Sequence, residues 1–392
     1  MIETVLVSAC RTPIGAFQGS LSALTAPKLG AIVIKEAVHR AGLAPSDIQE
    51  VIMGNVLTAG EGQAPARQAA IFAGLPESVE CMTVNKVCGS GLKAVMLAAQ
   101  AVQLGHVTTV VAGGMESMSN VPYLLDKART GYRLGHGQVV DALVKDGLWD
   151  VYNDYHMGNA AELCARECKI PREAQDAFAV ESYRRAQAAW EEGRYKEEVV
   201  PVTIEGRKGA ETIEQDEEPF KTNFDKIPSL KPAFLKDGTV TAANASKIND
   251  GAAALVVMSK EEALRRGLKP LARIVEYASF AKKPEWFTTA PVDVISKVLA
   301  RASMQVGQID LFEINEAFAV VTLAVNQAAH LDPSKVNVNG GAVAMGHPIG
   351  ASGARILVTL LSALRQRSAR FGMAAICIGG GEASGMIVER LA

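Results

Sequence analysis

Short apolar runs rich in β-branched residues alternate with amphipathic segments in two separate stretches of this chain. In the first stretch, residues 4–9, 51–53 and 107–112 have the pattern of buried strands. Between them, residues 28–42 and 89–105 carry apolar side chains at helical spacing, and each segment ends at a glycine. Buried strands separated by amphipathic helices predict an α/β layered domain with a largely parallel sheet.

The same alternation resumes at Asp250 and continues towards the C-terminus. Its predicted elements are the strands 252–258, 271–277 and 309–314 and the helices 292–302 and 317–329. A second α/β unit is therefore expected in this part of the chain.

The two stretches look like weak repeats of each other. Residues 45–55 parallel residues 306–316, and the same offset brings the segment of Cys88 close to the segment of His347. Chance similarity between two α/β units explains this likeness equally well. If the halves are duplicated, Cys88 and His347 occupy equivalent strand-to-helix turns that face one another.

The sequence between these halves has a different character. Charged residues are frequent, strand patterns are few, and a helix is predicted over 171–192 with a proline at its first turn. We therefore predict an inserted, mostly helical and loop-rich domain over 119–245. The N-terminal half then comprises residues 1–118 plus 246–270, and the C-terminal half comprises residues 271–392.

Charge and hydropathy argue against two classes of partner. Forty lysines and arginines stand against 42 aspartates and glutamates, and the net charge of −2 gives no basic footprint for nucleic acid. Every apolar run is interrupted before ~18 residues, so no membrane span is predicted. The N-terminus begins a strand without a secretory leader, and six cysteines are too few for a disulfide scaffold. These features predict a cytoplasmic protein with reduced thiols.

A cysteine between an extended segment and a helix is the first candidate for chemistry. Cys88 lies in Asn-Lys-Val-Cys-Gly-Ser-Gly, at a predicted helix start where free N–H groups and the helix dipole favour a thiolate. A thiol with a pKa near ~8.5 is only slightly ionised at neutral pH, so a nucleophile needs such help. The flanking glycines let a carbonyl approach the backbone closely. A buried cysteine in a tight turn is the alternative interpretation.

Three segments of the C-terminal half are further candidates. His347 lies in a glycine-rich loop over 339–353 that lacks the fingerprints of phosphate-binding loops and is typical of a presented base. Cys377 ends an apolar strand before the glycines 379–381, whose N–H groups can converge as an oxyanion hole requires. Residues 313–318 end another strand with polar groups, where ligand crevices of α/β sheets form. A core histidine and a strand cysteine followed by a flexible loop are the structural alternatives.

Two further cysteines, Cys164 and Cys168, lie one helical turn apart and could pair on a metal ion. No matching histidine or cysteine pair lies nearby in the sequence, which favours ordinary helix packing instead. Cys10 and Cys81 have the pattern of buried strand cysteines.

Taken together and in this order, four of the motifs resemble those of the thiolase family. They are Asn-Lys-Val-Cys-Gly-Ser-Gly at Cys88, Asn-Glu-Ala-Phe at Asn315, Gly-His-Pro-Ile-Gly at His347 and Cys-Ile-Gly-Gly-Gly at Cys377. One such motif would be weak evidence, but four in register are highly specific, and the resemblance covers the whole chain. It implies a five-layered αβαβα core of two similar halves, an inserted loop domain, and a homotetramer or homodimer.

The resemblance implies a reversible ping-pong reaction that joins two acetyl-CoA into acetoacetyl-CoA and CoA through an acyl-cysteine. His347 would deprotonate Cys88, which would hold the acyl group, and Cys377 would act as the base on the second acetyl-CoA. In the reverse thiolysis, Cys377 would activate the CoA thiol or protonate the leaving carbanion. His347 and a water held by Asn315 would stabilise the enolate, and N–H groups of Cys88 and Gly379 the tetrahedral intermediate. Neither a metal nor a cofactor is implied, since the CoA thioesters are substrates.

The resemblance also assigns contacts with CoA. The corresponding residues are Leu148, His156, Met157, Lys221, Phe234, Ala245, Ser246, Ala317 and Phe318. The chain departs from the family at two places. Phe220 and then Lys221 stand where many relatives have an arginine, which leaves the phosphate or adenine contact open. Residues 286–291 replace a Met-Gly-x-Gly-Pro segment that borders the acyl pocket of short-chain relatives, so chain-length preference depends on whether Phe287 points inward.

Other functions are compatible with parts of this pattern. A broader-range 3-ketoacyl-CoA thiolase of fatty-acid β-oxidation is the main alternative. A ketoacyl synthase of the same superfamily has a cysteine nucleophile but two histidines, or a histidine and an asparagine, so it does not explain Cys377. A thiolase-like acyl-CoA-binding protein without turnover would not need all four chemical positions. A cysteine protease is supported by nothing beyond a cysteine and a histidine.

Overall fold

The computed structural model describes residues 2–206 and 209–391. Met1, Arg207, Lys208 and Ala392, which the predicted domain ranges include, lie outside the described residues. The strands of the described part are β1 (Thr4–Arg11), β2 (Gly15–Ala16), β3 (Glu50–Gly54), β4 (Glu80–Val84), β5 (Thr109–Ser117), β6 (Tyr123–Leu124), β7 (Val140–Asp141), β8 (Trp149–Asp150), β9 (Tyr155–His156), β10 (Val202–Gly206), β11 (Gly209–Ile213), β12 (Asn249–Ser259), β13 (Ala272–Ala281), β14 (Leu311–Ile314), β15 (Phe371–Ile378) and β16 (Glu382–Arg390).

The helices in the described residues are α1 (Ala26–Arg40), α2 (Pro65–Phe72), α3 (Ser90–Gln103), α4 (Met157–Glu167), α5 (Arg172–Glu191), α6 (Lys260–Arg265), α7 (Ala290–Ala302), α8 (Ala319–Ala328), α9 (Ala342–Met345) and α10 (Ile349–Gln366). Of these, α1, α3, α5, α7 and α8 occupy the five segments for which the sequence predicts helix bounds, with shifts of a few residues at their ends. Within the described residues, no helix is both long enough and apolar enough to span a membrane.

Helix α1 illustrates how the sequence sets these boundaries. Pro27 lies in its first turn, where a missing N–H costs nothing, and His39 and Arg40 in its last turn complement the helix dipole. Gly42, with a φ of 68°, follows in the left-handed conformation that ends helices.

One long sheet runs through both halves, in the order β14-β15-β16-β13-β1-β12-β5-β3-β4. The strands β1, β12, β5, β3 and β4 belong to the N-terminal half, and the other four belong to the C-terminal half. Within the described residues, the strand pairing that joins the two groups is short and links β1 with β13 at Val5 and Leu6. β12 begins at Asn249, so the chain returns to the first group of strands after the long insertion.

The prediction of a largely parallel sheet is wrong. Along the path of this sheet in the described residues, three pairs are parallel, namely β14 with β15, β5 with β3 and β3 with β4. The other pairs are antiparallel. Buried strands read as apolar runs in either direction, and the tight turn between β15 and β16 permits only an antiparallel pair.

Helices separate and cover the two groups of strands. α3 and α10 pack on each other and on strands of both halves, and their apolar residues form one cluster between the two groups of strands. α1 and α2 cover the other face of the N-terminal strands, and α7 covers the other face of the C-terminal strands. The predicted five-layered αβαβα core is therefore confirmed.

The central helices approach each other backbone to backbone near their N-termini. A Cβ atom on Gly91 of α3 would lie 2.8 Å from the backbone nitrogen of Ala354 in α10. A Cβ atom on Gly353 would lie 2.5 Å from the backbone nitrogen of Leu92. Only glycine permits this approach, and it places the turns that precede both helices side by side.

Arg11, at the end of β1, is fully buried between two carboxylates. Its Nε donates to Oε1 of Glu198 at 2.6 Å, and Nη1 and Nη2 donate to the two oxygens of Asp216 at 2.7 and 3.0 Å. These bonds tie the inserted segment to the central sheet.

Replacing Arg11 with methionine is expected to lower the free energy of unfolding by about 3–5 kcal/mol, because two buried carboxylates lose their cation. Urea denaturation measures the change. Lys260→Met is the control, since its ion pair with Glu3 is partly exposed and is worth at most about 1 kcal/mol. An equal decrease in the free energy of unfolding in both variants would contradict a stabilising role for the buried cluster of Arg11, Glu198 and Asp216.

Candidate active site

A cavity of about 230 Å³ opens where the N-termini of α3 and α10 meet the inserted segment. Many predicted site residues line it: Cys88, Leu148, His156, Met157, Phe234, Ala245, Ser246, Ala317, Phe318, His347 and Gly379. The sequence reasoning assigned no site role to six further lining residues: Met118, Gly147, Lys247, Ile248, Phe287 and Ile349. Of these, Phe287 lies in the segment that departs from the family and Ile349 lies in the Gly-His-Pro-Ile-Gly motif, whereas the other four had no sequence signal.

Three predicted site residues do not line this cavity. Cys377 is buried at the end of β15, in the same apolar cluster as Met157 and Phe318 of the cavity wall. Asn315 is buried behind His347. Lys221 is exposed and its Nζ lies 2.5 Å from Oε1 of Glu217, so its contact with CoA stays a prediction.

Cys88 is half-buried in a strained turn immediately before α3. Val87 has a φ of 44°, a left-handed conformation that β-branched residues rarely adopt. The Ser90 hydroxyl holds this turn, because it donates to the carbonyl of Val87 at 2.7 Å and accepts from the N–H of Lys86 at 2.8 Å. Strain of this kind is concentrated at functional sites.

The expectation that the helix start favours a Cys88 thiolate is wrong. Burial raises the pKa of Cys88 to about 11, although hydrogen bonds from the N–H groups of Gly379 and of Cys88 itself lower it. Desolvation therefore outweighs the local dipoles, and the side chain rests as a thiol. A base is needed to generate the nucleophile, and the two N–H groups that face the sulfur are placed to hold a charge that develops there.

His347 is a buried, neutral imidazole at the start of α10. Burial, together with the nearby cation of Arg355, lowers its pKa to about 3. Its Nδ1 lies 2.6 Å from Oγ of Ser352, and that hydroxyl donates its proton to the carbonyl of Pro348 at 2.8 Å. We therefore assign the ring proton to Nδ1, which leaves Nε2 as the free base. Nε2 lies 3.5 Å from Nδ2 of Asn315.

Cys377 also rests as a thiol. Burial raises the pKa of its side chain well above the usual value, and the neighbouring Cys88 and Cys164 raise it further. Cys164 and Cys168 lie on one face at the end of α4, with their sulfur atoms 3.9 Å apart. Both belong to the apolar packing around Cys377, which agrees with the helix-packing interpretation.

Three aromatic rings form one wall of the cavity. The ring of His156 stacks on Phe234 with centroids 4.8 Å apart, and Phe234 meets Phe318 edge-on at 6.2 Å. A Cβ atom on Gly158 would lie 2.3 Å from the Phe234 ring, so this glycine makes room for the aromatic stack. Phe287 is buried and points inward, which resolves the alternative that the sequence left open.

Two polar residues missed by sequence reasoning fix the loop that carries His347. Asn249 Oδ1 accepts from the N–H of His347 at 3.0 Å. Glu116 is fully buried and accepts from the N–H of Gly350 at 2.8 Å and from Nδ2 of Asn55 at 2.8 Å. Neither residue lies within one of the motifs, and their partners are distant in sequence, so only the fold reveals these contacts.

Comparisons with known proteins agree with this geometry. The chain matches the family models "Thiolase, N-terminal domain" over residues 4–261 and "Thiolase, C-terminal domain" over residues 268–390. An acetyl-CoA acetyltransferase of Cupriavidus necator and one of Escherichia coli K12 are each 55% identical to it, and the alignments cover 100% of this chain and of each relative. The bovine mitochondrial acetyl-CoA acetyltransferase is 53% identical over 99% of this chain and 92% of its own length.

A solved structure of a thiolase is also similar to this protein. The Acat5 thiolase from Ascaris suum, in complex with coenzyme A, superposes with a TM-score of 0.94 at 47% identity and covers 99% of this chain and 100% of its own. The fold, the cavity and these relatives define an acyl-transferring enzyme. The chain belongs to the thiolase family.

Proposed function

We propose that this protein is an acetyl-CoA acetyltransferase that condenses two acetyl-CoA to acetoacetyl-CoA and CoA and catalyses the reverse thiolysis. The observation that carries the proposal is the shared cavity: Cys88, His347 and Gly379 line it together, and Cys377 lies buried behind its wall. The names of relatives at 53–55% identity over nearly the whole chain support the same activity.

In the first half-reaction, His347 Nε2 takes the thiol proton of Cys88, and the sulfur attacks the carbonyl of acetyl-CoA. The negative charge on the carbonyl oxygen is held by the N–H groups of Cys88 and Gly379. The C–S bond to CoA breaks, the acetyl group stays on Cys88 as a thioester, and the CoA thiolate takes a proton from Cys377. Because one thioester replaces another, the step is reversible.

In the second half-reaction, the Cys377 thiolate removes an α-proton from a second acetyl-CoA. The resulting enolate oxygen is stabilised by protonated His347 and by a water bound to Asn315. The enolate carbon attacks acetyl-Cys88, acetoacetyl-CoA leaves, and the Cys88 thiolate recovers its proton from His347. Every proton is returned to its starting group by the end of the cycle. Neither a metal nor a cofactor is part of the proposal.

The cavity wall supports the proposed contacts with CoA. Ser246 and Ala245 form one side, where the N–H of Ser246 donates to the carbonyl of Ala317 at 3.0 Å, and the aromatic wall forms another. Leu148 and Met157 complete an apolar passage suited to the pantetheine chain.

The inward side chain of Phe287 supports a preference for short acyl groups. We expect kcat/KM for CoA-dependent cleavage to be highest with acetoacetyl-CoA and to fall at the six-carbon substrate. One methylene in an apolar pocket is worth about 1–3 kcal/mol, so the decline is graded. Steady-state kinetics with 3-ketoacyl-CoA substrates of four, six, eight and ten carbons measures it, and Phe287→Ala is expected to raise the six-carbon value relative to the four-carbon value.

A maximum at eight or ten carbons would contradict the short-chain preference and favour the broader-range 3-ketoacyl-CoA thiolase of β-oxidation. A binding protein without turnover would give no thiolysis with any of these substrates. A ketoacyl synthase would not need Cys377, so loss of condensation in a Cys377 variant separates it from a thiolase.

We also propose that the protein acts as a homodimer or homotetramer. β4 is an edge strand of the long sheet, and it leaves Met82 47% exposed beside Phe72, which is 58% exposed. An edge strand next to exposed apolar side chains is suited to pairing with a second copy. A reducing compartment, for which we propose the cytoplasm, would keep the thiols of Cys88 and Cys377 available for the reaction.

A further inference from the structure

Lys247 lines the cavity between Ser246 and Ile248, but its ammonium group is directed into the protein. Nζ donates to the carbonyl of Ala245 at 3.1 Å and to the carbonyl of Val343 at 2.8 Å. It also lies 5.0 Å from the centre of the Tyr183 ring, within range of a cation–π contact. Two of the three N–H donors of the ammonium group are thus used by carbonyls, and its charge faces the aromatic ring.

The first of the two carbonyls belongs to the wall of the cavity. Ala245 lines the cavity and forms an antiparallel bridge with Phe318, one ring of the aromatic wall. Ser246, the next residue, is bonded through its N–H to Ala317. A displacement of Ala245 would therefore shift the side of the cavity along which the CoA thioester is proposed to lie.

The second carbonyl belongs to the segment that leads to the base. Val343 lies in the one-turn helix α9, which ends at Met345, two residues before His347. Its N–H donates to Oε2 of Glu316 at 3.0 Å, while its carbonyl accepts from Lys247. The buried side chain of Glu316 and the ammonium group of the partly buried Lys247 thus hold both polar groups of Val343, a strong restraint on α9.

We propose that Lys247 is a positioning residue that links the CoA-binding wall at Ala245 to the helix leading to His347, and so fixes the base relative to the bound thioester. This inference rests on the proposed function, in which His347 deprotonates Cys88. A direct role in binding an anionic acyl group does not fit, because the ammonium group is directed at two carbonyls and an aromatic ring of the protein.

The charge of Lys247 is sensitive to alkaline pH. Burial lowers the pKa of Lys247 to about 8, although the carboxylates of Glu218 and Glu316 raise it. The ammonium is therefore present below pH 8 and is lost above it. The neutral amine keeps two N–H groups but loses the charge that strengthens its bonds to the two carbonyls.

The test compares the rate of Cys88 acetylation by acetyl-CoA, followed as CoA release in a single turnover. Lys247→Met keeps the aliphatic stem and removes the donors, and we expect the rate to fall about 10- to 100-fold, as displacement of a catalytic group by ~1 Å does. Lys247→Arg, which keeps charge and donors, is expected to restore most of the rate. Lys260→Met controls for the loss of a lysine elsewhere.

A double-mutant cycle with His347→Ala distinguishes positioning from a general structural effect. If Lys247 acts through His347, then Lys247→Met should change the rate by less than about twofold once His347 is absent. The inference would be overturned if the double variant lost the activation free energies of both single variants in full, or if Lys247→Met acetylated Cys88 at the wild-type rate. If Lys247→Met does not fold, Lys247→Gln, which retains one donor group, enters the same cycle.

The pH dependence supplies a second readout. The acetylation rate of the wild type should decline above pH 8 relative to that of Lys247→Arg, whose guanidinium does not titrate there; parallel profiles would overturn the inference. Failure of the proposed function has a different signature, namely that His347→Ala acetylates Cys88 at the normal rate.

Discussion

Replacing Cys88 with alanine is expected to abolish acetyl transfer, with a loss of about 10⁴-fold or more in kcat, since no other group can take over a nucleophile that carries the covalent intermediate. Cys88 is the cysteine thiol that lines the cavity, within reach of two backbone N–H groups. In the wild type, brief incubation with acetyl-CoA should leave an acetyl group on the peptide that contains Cys88. Peptide mass spectrometry after acid quenching measures this directly.

Cys81→Ala is the matched control for this experiment. Cys81 is a half-buried thiol on β4, seven positions before Cys88, and it does not line the cavity. Its replacement should leave both acetylation and turnover close to the wild-type values. An acetyl group found on Cys377 alone, or on no residue, would contradict the assignment of Cys88.

Much of the lining of the cavity was predictable from sequence because the candidate residues lie in compact motifs. Cys88, Asn315, His347 and Cys377 each lie near the end of a regular element, and Cys88, His347 and Cys377 have a glycine within two positions. The alternation of strand and helix patterns predicted the two α/β halves, whereas the five-layered arrangement was implied by the resemblance to the family. The glycines of α3 and α10 permit the close packing of these helices.

Other features depend on contacts between distant residues and were not predictable. Strand direction follows from how the insertion returns the chain to β12, and apolar runs do not encode that path. The pKa of Cys88 was predicted in the wrong direction, because the helix start is visible in the sequence whereas desolvation by the surrounding walls is not. The hydrogen bond from Lys247 to the carbonyl of Val343 spans 96 positions, and no local sequence pattern predicts it.

Replacing Cys377 with alanine is expected to separate the two half-reactions. Acetylation of Cys88 should persist, because His347 Nε2 and the N–H groups of Cys88 and Gly379 remain in place and CoA can leave as a thiolate that takes its proton from water instead of from Cys377. Condensation and exchange of the α-protons of acetyl-CoA with deuterated water should fall by about 10³-fold or more, since a general base supplies about 10²–10⁴-fold. Mass spectrometry of Cys88 and of the recovered acetyl-CoA measures both steps in one sample.

His347→Ala should behave differently, and the contrast between the two variants is the decisive result. His347 is both the neutral base next to Cys88 and, once protonated, the donor to the enolate, so its loss should impair acetylation and condensation together. Cys164→Ala is the control for Cys377, because it removes a buried thiol from the same apolar cluster without touching the cavity. If Cys377→Ala condenses two acetyl-CoA at the normal rate, the base has been assigned to the wrong thiol. If it instead loses acetylation of Cys88 as well, the two cysteines do not divide the reaction between them, and the ping-pong scheme with separate nucleophile and base fails.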